Sequence, residues 1–451
     1  MLAQIAQIIY SSYMQIHCIL TAMVIAAPII VAQAAQTSTN LPPELADPSV
    51  PAVECRPRNG LPNFFAKASQ GGEVRIAYLG GSITAQEGWR PKTLKWFQEQ
   101  YPQAKISQIN AAIGGTGSDL GVFRLEQDVL QHKPDLLFVE FAVNDGGASP
   151  AQIYRCMEGI VRQTWKAFPS TDICFVYTLA GNMIQTLQEG KFPRSASAMD
   201  RLADYYGIPT IHMGVEVARL EKNGQLIFKG NLPKTDAEKA ALGDKIVFSP
   251  DAVHPFPETG HKLYLEAVIR SMALIKAAGR KGPHKLGEPF VADNWEAAKL
   301  VPLDKASMSG NWQKLDPAKD RLAKNFQNRL PQLWKATPPD ATLRFRFRGI
   351  AAGVYDLLGP DCGQLQVTVD QQPPRKVLRF DSYCTYHRLG QFMAAHGLAP
   401  QVHEVKIETI SDPPDKAKIL AQRNEKINDS KRFEGLNWYA GYLMLIGELV
   451  E

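Results

Sequence analysis

Short apolar segments alternate with longer segments of helical character between residues 72 and 280. The short segments are rich in β-branched and aromatic residues, as strands are. Such alternation predicts a parallel sheet with helices on both faces, a three-layer α/β/α fold. A more polar stretch at 220–241 is expected to form a surface excursion near the functional site. We predict strands at 74–79, 106–110, 136–141, 173–179 and 210–213, and helices at 91–101, 119–132, 151–168, 195–206 and 258–278.

The pattern changes to strict alternation at residue 343. Residues 343–348 read Leu-Arg-Phe-Arg-Phe-Arg, so one face of this segment is apolar and the other is basic. Similar alternation returns at 364–370 and 402–407, and more loosely at 438–446, with turn residues between the runs. This pattern predicts a C-terminal antiparallel β-sandwich, jelly-roll-like. A highly charged stretch at 416–432 interrupts it and is expected to be an exposed insertion.

The first 36 residues contain no Lys, Arg, Asp or Glu, and 19–31 is an apolar run followed by Ala32-Gln33-Ala34. This pattern is typical of a secretory signal peptide cut after about Ala34, so we expect a secreted or periplasmic protein. An uncleaved membrane anchor is the alternative. The predicted organisation is a signal peptide at 1–36, a linker at 37–62, a catalytic domain at 63–280, a linker at 281–310 and a β-sandwich at 311–451.

Composition excludes some partners. The chain has 50 Lys and Arg against 45 Asp and Glu, a net charge of +5 without a long basic run, so no nucleic-acid partner is expected. Stable membrane association is expected only if the N-terminal segment is retained.

Five cysteines follow Cys18, an odd number. Cys362 and Cys384 are either a disulfide pair or buried free thiols. No spacing resembles a zinc site, and we expect no metal or cofactor.

Four clusters of the first domain carry the candidate chemistry, and three of them follow predicted strands. Gly80-Gly81-Ser82 places a hydroxyl at a tight turn after the first strand. The Gly-rich loop 110–117 can direct backbone N–H groups at an anion, and it lacks the spacing of a phosphate-binding loop. Ala142-Val143-Asn144-Asp145 places a side-chain amide at the end of the most apolar strand.

The fourth cluster is Asp251-Ala252-Val253-His254. A carboxylate three residues before a histidine can hold one imidazole nitrogen and leave the other to act as a base. Taken alone, the pair also fits a surface ion pair or two metal ligands. Together the four clusters contain a nucleophile, oxyanion donors and an oriented base.

In order and kind, the four clusters resemble the blocks of the SGNH (GDSL-like) hydrolase superfamily, over about residues 70–275. The resemblance implies Ser82 as nucleophile, His254 as base and Asp251 as its partner, with an oxyanion hole formed by Ser82, Gly115 and Asn144. Two departures are visible: Ala142 stands for the glycine of the third block, and Gly81 for the aspartate before the serine. Thr84 stands where a G-x-S-x-G elbow would end, which argues against an ordinary α/β-hydrolase lipase.

The added β domain is similar to that of carbohydrate esterases that remove acetyl groups. Segments 357–363 and 383–388 resemble a jelly-roll module of some acetylxylan esterases, where the module precedes the catalytic domain. The resemblance implies a serine esterase whose substrate is an acylated carbohydrate, and we expect Trp89 and Arg90 to contact the sugar. The alternatives are a hydrolase of a lipid, aryl or sulfate ester, or a glycan-binding protein with an inert hydrolase domain.

Overall fold

The computed structural model describes residues 41–451. The predicted signal peptide lies outside the described residues. No helix within 41–451 combines the length and the apolar character needed to cross a bilayer.

A six-stranded sheet forms the centre of the N-terminal domain. Its strands run in the order β1-β6-β5-β4-β2-β3, and all neighbours are parallel except the edge strand β1. This confirms the predicted parallel α/β fold. The strands are β1 Cys55–Arg56, β2 Gly72–Gly80, β3 Ala104–Ala112, β4 Leu136–Glu140, β5 Asp172–Tyr177 and β6 Thr210–His212.

Helices cover both faces of the sheet, so every residue of β4 and β5 is buried. The α-helices are α1 Pro43–Ala46, α2 Pro62–Gln70, α3 Ser82–Ala85, α4 Trp89–Gln100, α5 Ser118–Gly121, α6 Leu125–Asp128, α7 Pro150–Ala167, α8 Ile184–Gln188, α9 Arg194–Tyr206, α10 Val215–Lys222, α11 Asp236–Leu242 and α12 Gly260–Lys276. Short 3₁₀ helices lie at Leu130–His132, Asn144–Gly147 and Gly181–Met183.

The single helix predicted at 119–132 is wrong. The segment is broken into α5, α6 and a 3₁₀ turn. Arg124 lies between α5 and α6 with its side chain fully buried, and its guanidinium donates hydrogen bonds to the carbonyls of Ala111 and Gly80. The break therefore lets a buried cation reach the ends of β3 and β2.

The predicted surface excursion contains a second, small sheet. Strands β7 Leu226–Lys229 and β8 Ile246–Ser249 pair in parallel and are separate from the six-stranded sheet. The segment 250–259 follows β8 and leads into α12, and it holds the predicted Asp and His.

The C-terminal domain is an antiparallel β structure, as predicted. Its ten strands form one continuous sheet, centred on the long strands β13 and β18. The strands are β9 Ala298–Pro302, β10 Ser307–Ser309, β11 Trp312–Leu315, β12 Leu333–Ala336, β13 Thr342–Leu358, β14 Gln364–Val369, β15 Arg375–Leu378, β16 Arg388–Ala395, β17 Gln401–Ile410 and β18 Trp438–Val450. Helices α13 Arg321–Phe326 and α14 Lys416–Ala421 and 3₁₀ turns Leu303–Lys305 and Ser430–Phe433 connect them.

One hydrophobic cluster extends from the N-terminal domain into the β domain, which also has a second cluster of its own. The first half of β13 alternates between buried and exposed residues, whereas its second half is buried throughout. Tyr355 and Leu357 of that half, with Met444 of β18, belong to the same apolar cluster as the helices and strands of the N-terminal domain. The β domain is therefore packed against the α/β domain through buried apolar side chains.

Both predicted linkers contain regular elements. Within 37–62, β1 pairs with β6 at the edge of the parallel sheet. Within 281–310, β9 pairs with β18 and β10 pairs with β13. The Pro-, Ser- and Thr-rich composition of 37–62 and the Lys281-Gly282-Pro283 start of 281–310 hid these short strands, which are held by neighbours remote in sequence.

Candidate active site

The sheet register brings three of the four clusters to one level. Gly80, the last residue of β2, is aligned with Ala112 of β3 on one side and with Glu140 of β4 on the other. The segments that follow these three strands therefore start together at the carboxyl edge of the sheet. This edge is where open α/β sheets bind their ligands.

Ser82 is the first residue of α3, directly after the Gly80-Gly81 turn. A Cβ atom added at Gly81 would overlap with the side-chain amide of Asn144. Gly81 adopts backbone angles open to any residue, φ −92° and ψ −154°. Gly81 is therefore required because a larger residue would collide with Asn144. Without a Cβ at position 81, the Asn144 side chain can pack against the Gly81 backbone, next to Ser82.

His254 connects Ser82 to Asp251. Its Nε2 lies 2.8 Å from Ser82 Oγ, and its Nδ1 lies 2.7 Å from Asp251 Oδ2. The side chain of His254 is 35% exposed and that of Asp251 is 50% exposed. The order Ser–His–Asp within hydrogen-bond reach is the arrangement that activates a serine for acyl transfer.

The charge of Asp251 determines which ring nitrogen carries the proton. Partial burial raises the pKa of Asp251, but hydrogen bonds from the His254 ring and from the backbone N–H groups of His254 and Val253 outweigh it. The pKa therefore lies well below its usual value. An ionised carboxylate accepts only, so Nδ1 of a neutral His254 donates to it. Nε2 is then free to accept the Ser82 hydroxyl proton.

A tight turn holds this pair. Ala252 has a positive φ of 67°, which is uncommon for a residue with a side chain. Its carbonyl accepts a hydrogen bond from Gly181 N, in the segment after β5. Asp251 also accepts a hydrogen bond from Ser249 Oγ. The turn is thus tied both to β8 and to the parallel sheet.

The glycine loop lies beside Ser82. Gly115 has a φ of 73°, a conformation that favours glycine, and a Cβ added at Gly114 would lie 3.6 Å from Ser82 Cβ. Ser118, after this loop, donates its backbone N–H to Asp145 Oδ1 at 3.0 Å. Ser82, Gly115 and Asn144, the three predicted oxyanion residues, therefore line the same cleft.

Several buried polar groups near the site were not predicted by the sequence analysis. Glu140, at the end of β4, accepts hydrogen bonds from Thr84 and Thr178, and burial raises its pKa. Arg124 is paired with Asp128 at 2.8 Å, and Asp128 is also 2.9 Å from Arg329 of the β domain. No local pattern marks these residues, because their partners are distant in sequence.

Trp89 and Arg90 do not lie where a sugar could contact them. Trp89 is 0% exposed and packs against Tyr78 and Phe138. Arg90 is 1% exposed and donates a hydrogen bond to the carbonyl of Thr84. Both residues lie at the start of α4, and their buried side chains pack that helix against the sheet and against α3, which begins at Ser82.

A cleft of about 1390 Å³ contains the Ser82–His254–Asp251 triad. The β domain forms its opposite wall, which the sequence analysis did not anticipate. Gln391 Nε2 donates to Asp119 Oδ2 across the cleft at 2.6 Å. The β-domain residues of this wall include Arg379, Tyr383, Tyr386, His387, Arg388, Gln391 and Arg423.

Cys362 and Cys384 are free thiols, as are Cys55, Cys156 and Cys174, so the predicted alternative of a disulfide is excluded in this structure. Asp361, Cys362 and His387 lie close enough together to share a metal ion. Asp361 is already engaged by the His387 ring at 2.6 Å, by Asn437 and by the Tyr439 hydroxyl. These contacts account for the cluster as a hydrogen-bonded network.

A family model for GDSL-like lipases and acylhydrolases matches residues 78–258, a range that contains all four clusters. Residues 78–258 form a GDSL-like lipase/acylhydrolase domain. The predicted family is therefore confirmed, and the chain is an ester hydrolase by its catalytic domain. No curated protein sequence matches the chain significantly.

Solved structures match the GDSL-like domain and the β domain together. A two-domain esterase (CEX) active on acetylated mannans has a TM-score of 0.65 and 18% identity, covering 88% of this chain and 99% of its own. A second structure of that esterase, co-crystallised with mannopentaose, gives a TM-score of 0.64 with the same identity and coverage. At this identity the similarity shows that the two-domain fold is shared.

Proposed function

We propose that the protein is an exported serine esterase that removes acyl groups, acetyl above all, from a carbohydrate. The observation that carries this proposal is the 2.8 Å contact between Ser82 Oγ and His254 Nε2 in an open cleft, with Asp251 on the other ring nitrogen. The GDSL-like family match supports acyl transfer as the reaction class.

The first half of the proposed reaction forms an acyl-enzyme. His254 Nε2 takes the Ser82 proton as Oγ attacks the ester carbonyl, and Asp251 stabilises the imidazolium that results. The carbonyl oxygen becomes an oxyanion, bound by the backbone N–H groups of Ser82 and Gly115 and the side-chain amide of Asn144. The oxyanion then collapses, and His254 donates its proton to the departing sugar hydroxyl.

Water completes the cycle. His254 takes a proton from a water molecule as that water attacks the acyl carbon, and a second oxyanion forms in the same place. Its collapse breaks the bond to Ser82 Oγ, which regains its proton from His254. The products are the deacylated sugar, a carboxylic acid and the original enzyme.

A carbohydrate substrate is supported by the cleft. Its volume of about 1390 Å³ exceeds the usual range of small-molecule pockets, roughly 300–1,000 Å³. Tyr383 and Tyr386, 49% and 54% exposed, line it with aromatic faces suited to sugar rings. The similar two-domain fold of an esterase active on acetylated mannans points the same way.

Acetate release from a panel of acetylated polysaccharides tests this proposal. We expect acetate release by the wild type and none by Ser82→Ala. Long-chain acyl, aryl and sulfate esters are assayed in parallel as alternative substrates. Hydrolysis confined to lipid, aryl or sulfate esters would reject the carbohydrate substrate. Equal activity in Ser82→Ala would reject the mechanism, and glycan binding without any hydrolysis would favour an inert binding protein.

Export is tested separately. The composition of residues 1–36 supports a leader removed after about Ala34. N-terminal sequencing of protein recovered from outside the cytoplasm should start at about Ala35. Full-length protein recovered with membranes would instead support the retained anchor.

A further inference from the structure

A buried lysine anchors the start of the charged insertion 416–432 to neighbouring segments of the β domain. Lys416, the first residue of α14, is only 7% exposed, and its Nζ donates to the carbonyls of Pro360, Phe433 and Gly435 at 2.7–2.8 Å. Its neighbour Leu420 packs with Phe380 and Cys384 in a small apolar cluster. The insertion was predicted as an exposed excursion, and this anchoring gives it a defined position.

Arg423 follows α14 and lies over the ring of Tyr383, with its guanidinium carbon 3.7 Å from the ring centroid. Arg388 lies near the same ring, with a corresponding distance of 5.8 Å. Two guanidinium groups therefore share one tyrosine, and all three side chains line the cleft that contains Ser82. Aromatic stacking fixes a guanidinium plane without using its hydrogen-bond donors.

The positive charge of this group is only partly balanced. Arg388 pairs with Asp381 through Nη2, whereas its Nε is buried without a hydrogen-bond partner. Arg423 forms no ion pair with any residue of 41–451. Arg379, on the same wall, is neutralised by the buried Asp356 at 2.5 Å. Of the three arginines on this wall, Arg423 is therefore the one without an acidic partner among residues 41–451.

The three acidic residues that line the facing wall are already engaged by other partners, and none of them pairs with Arg423. Asp119 accepts a hydrogen bond from Gln391 Nε2, and Asp145 accepts one from the backbone N–H of Ser118. Asp251 faces His254. The Arg388 guanidinium is close to the Gly-rich loop 110–117, since a Cβ added at Gly115 would lie 4.0 Å from Arg388 Nη1. A ligand held by these arginines would thus lie next to the reacting ester.

We propose that Arg388, Tyr383 and Arg423 bind an anionic substituent, a carboxylate or a sulfate, on a sugar near the acylated one. The inference rests on the proposed function and narrows its substrate to acidic polysaccharides. Guanidinium groups suit both anions because their paired N–H donors match planar or tetrahedral oxygen pairs. Tyr383 offers the apolar face that a sugar ring needs beside its charged group.

Binding to a Ser82→Ala background tests the inference without using catalysis. The probes are a trigalacturonate, a sulfated trisaccharide and the neutral mannotriose. The affinity of the protein for each probe is measured by calorimetry at low and at high salt. We expect the anionic probes to bind more tightly than mannotriose and their advantage to shrink in salt. Adding Arg423→Gln should weaken anionic binding by about fivefold, the value of an exposed ion pair of about 1 kcal/mol.

Arg432→Gln is the matched control, because Arg432 is exposed in the same insertion but does not line the cleft. It should leave the affinity for all three probes as in the parent. Equal loss in both variants, or no loss with Arg423→Gln, would overturn the inference. The carboxylate and sulfate probes identify which anion is preferred. Acetate release by the wild type is measured in parallel, so a failure of esterase activity is recognised separately from a failure of anion binding.

Discussion

His254 Nε2 lies 2.8 Å from Ser82 Oγ, although 172 positions separate the two residues in the chain. Ser82 is placed by the end of β2, whereas His254 is placed by a turn between β8 and α12. The contact therefore depends on how the small β7–β8 sheet is tied to the parallel sheet, through Gly181 and Ala252. The candidate chemistry is a product of tertiary structure.

Replacing His254 by Ala should abolish turnover to the same extent as Ser82→Ala, because each removes the proton transfer from the nucleophile. Asp251→Asn should reduce kcat by up to about 10⁴-fold, because it disturbs the tautomer and charge of His254. Half of the Asp251 side chain is exposed, so water can partly replace it and we expect a smaller loss than with His254→Ala. Hydrolysis of p-nitrophenyl acetate gives the three kcat values. A larger loss with Asp251→Asn than with His254→Ala would contradict the assignment.

Asn144→Ala should lower kcat by about 10²–10³-fold with little change in KM, because an oxyanion donor acts mainly in the transition state. The comparison is steady-state kinetics on one soluble ester. If KM rises while kcat stays unchanged, Asn144 binds the substrate and is no oxyanion donor.

Gly81→Ala should reproduce part of the Asn144→Ala defect. The new Cβ would overlap with the Asn144 side chain and push it away from Ser82, while the backbone angles at position 81 remain allowed. Gly147→Ala is the control, since a Cβ there meets nothing within 4 Å. We expect kcat to fall in the first variant alone, with both folded by circular dichroism. Full activity of Gly81→Ala would argue against this arrangement of Asn144.

Asp145→Asn should stabilise the protein increasingly as pH rises. Burial raises the pKa of Asp145 from 3.8 to about 7, so the folded chain binds more protons than the unfolded chain between these values. Wild-type stability therefore decreases through this window because of Asp145, and the asparagine variant lacks that decrease. Urea unfolding of both proteins at several pH values from 4 to 8 measures the difference. A difference that is constant with pH would show that Asp145 ionises normally.

Asp128→Ala should destabilise the protein by about 3 kcal/mol or more, since removing one member of a buried ion pair leaves the other uncompensated. The orphaned group is Arg124, whose side chain is 0% exposed, and Arg329 of the β domain loses the same partner. Lys239→Ala breaks an exposed ion pair instead and should change stability by less than about 1 kcal/mol. Denaturant unfolding compares the two, and similar losses would refute the importance of the buried network.

The sequence predicted local elements better than their surroundings. The apolar runs at 136–141 and 173–179 were recognised because both faces of β4 and β5 are covered, and the alternation at 343–348 became the first half of β13. The helix at 119–132 failed because Arg124 turns inward to bind carbonyls of two strands. These hydrogen bonds are formed with residues of other elements, so only the tertiary structure shows them.

The site residues likewise divide into those that short motifs predicted and those that depend on tertiary structure. Ser82, Gly115, Asn144, Asp251 and His254 were identified from short motifs, and the structure brings them to one cleft. Trp89 and Arg90 were chosen for their chemistry alone, and both are buried in packing. The wall with Tyr383, Arg388 and Arg423 was missed, since its place opposite Ser82 depends on the contact between two domains.

The central claim, that His254 activates Ser82 as a nucleophile, is tested most directly by locating a covalent adduct. The protein is treated with a fluorophosphonate, digested and analysed by mass spectrometry. The account predicts one adduct, on the peptide that contains Ser82, formed rapidly in the wild type and far more slowly in His254→Ala. An adduct on another residue, or an equal rate of labelling in His254→Ala, would contradict it.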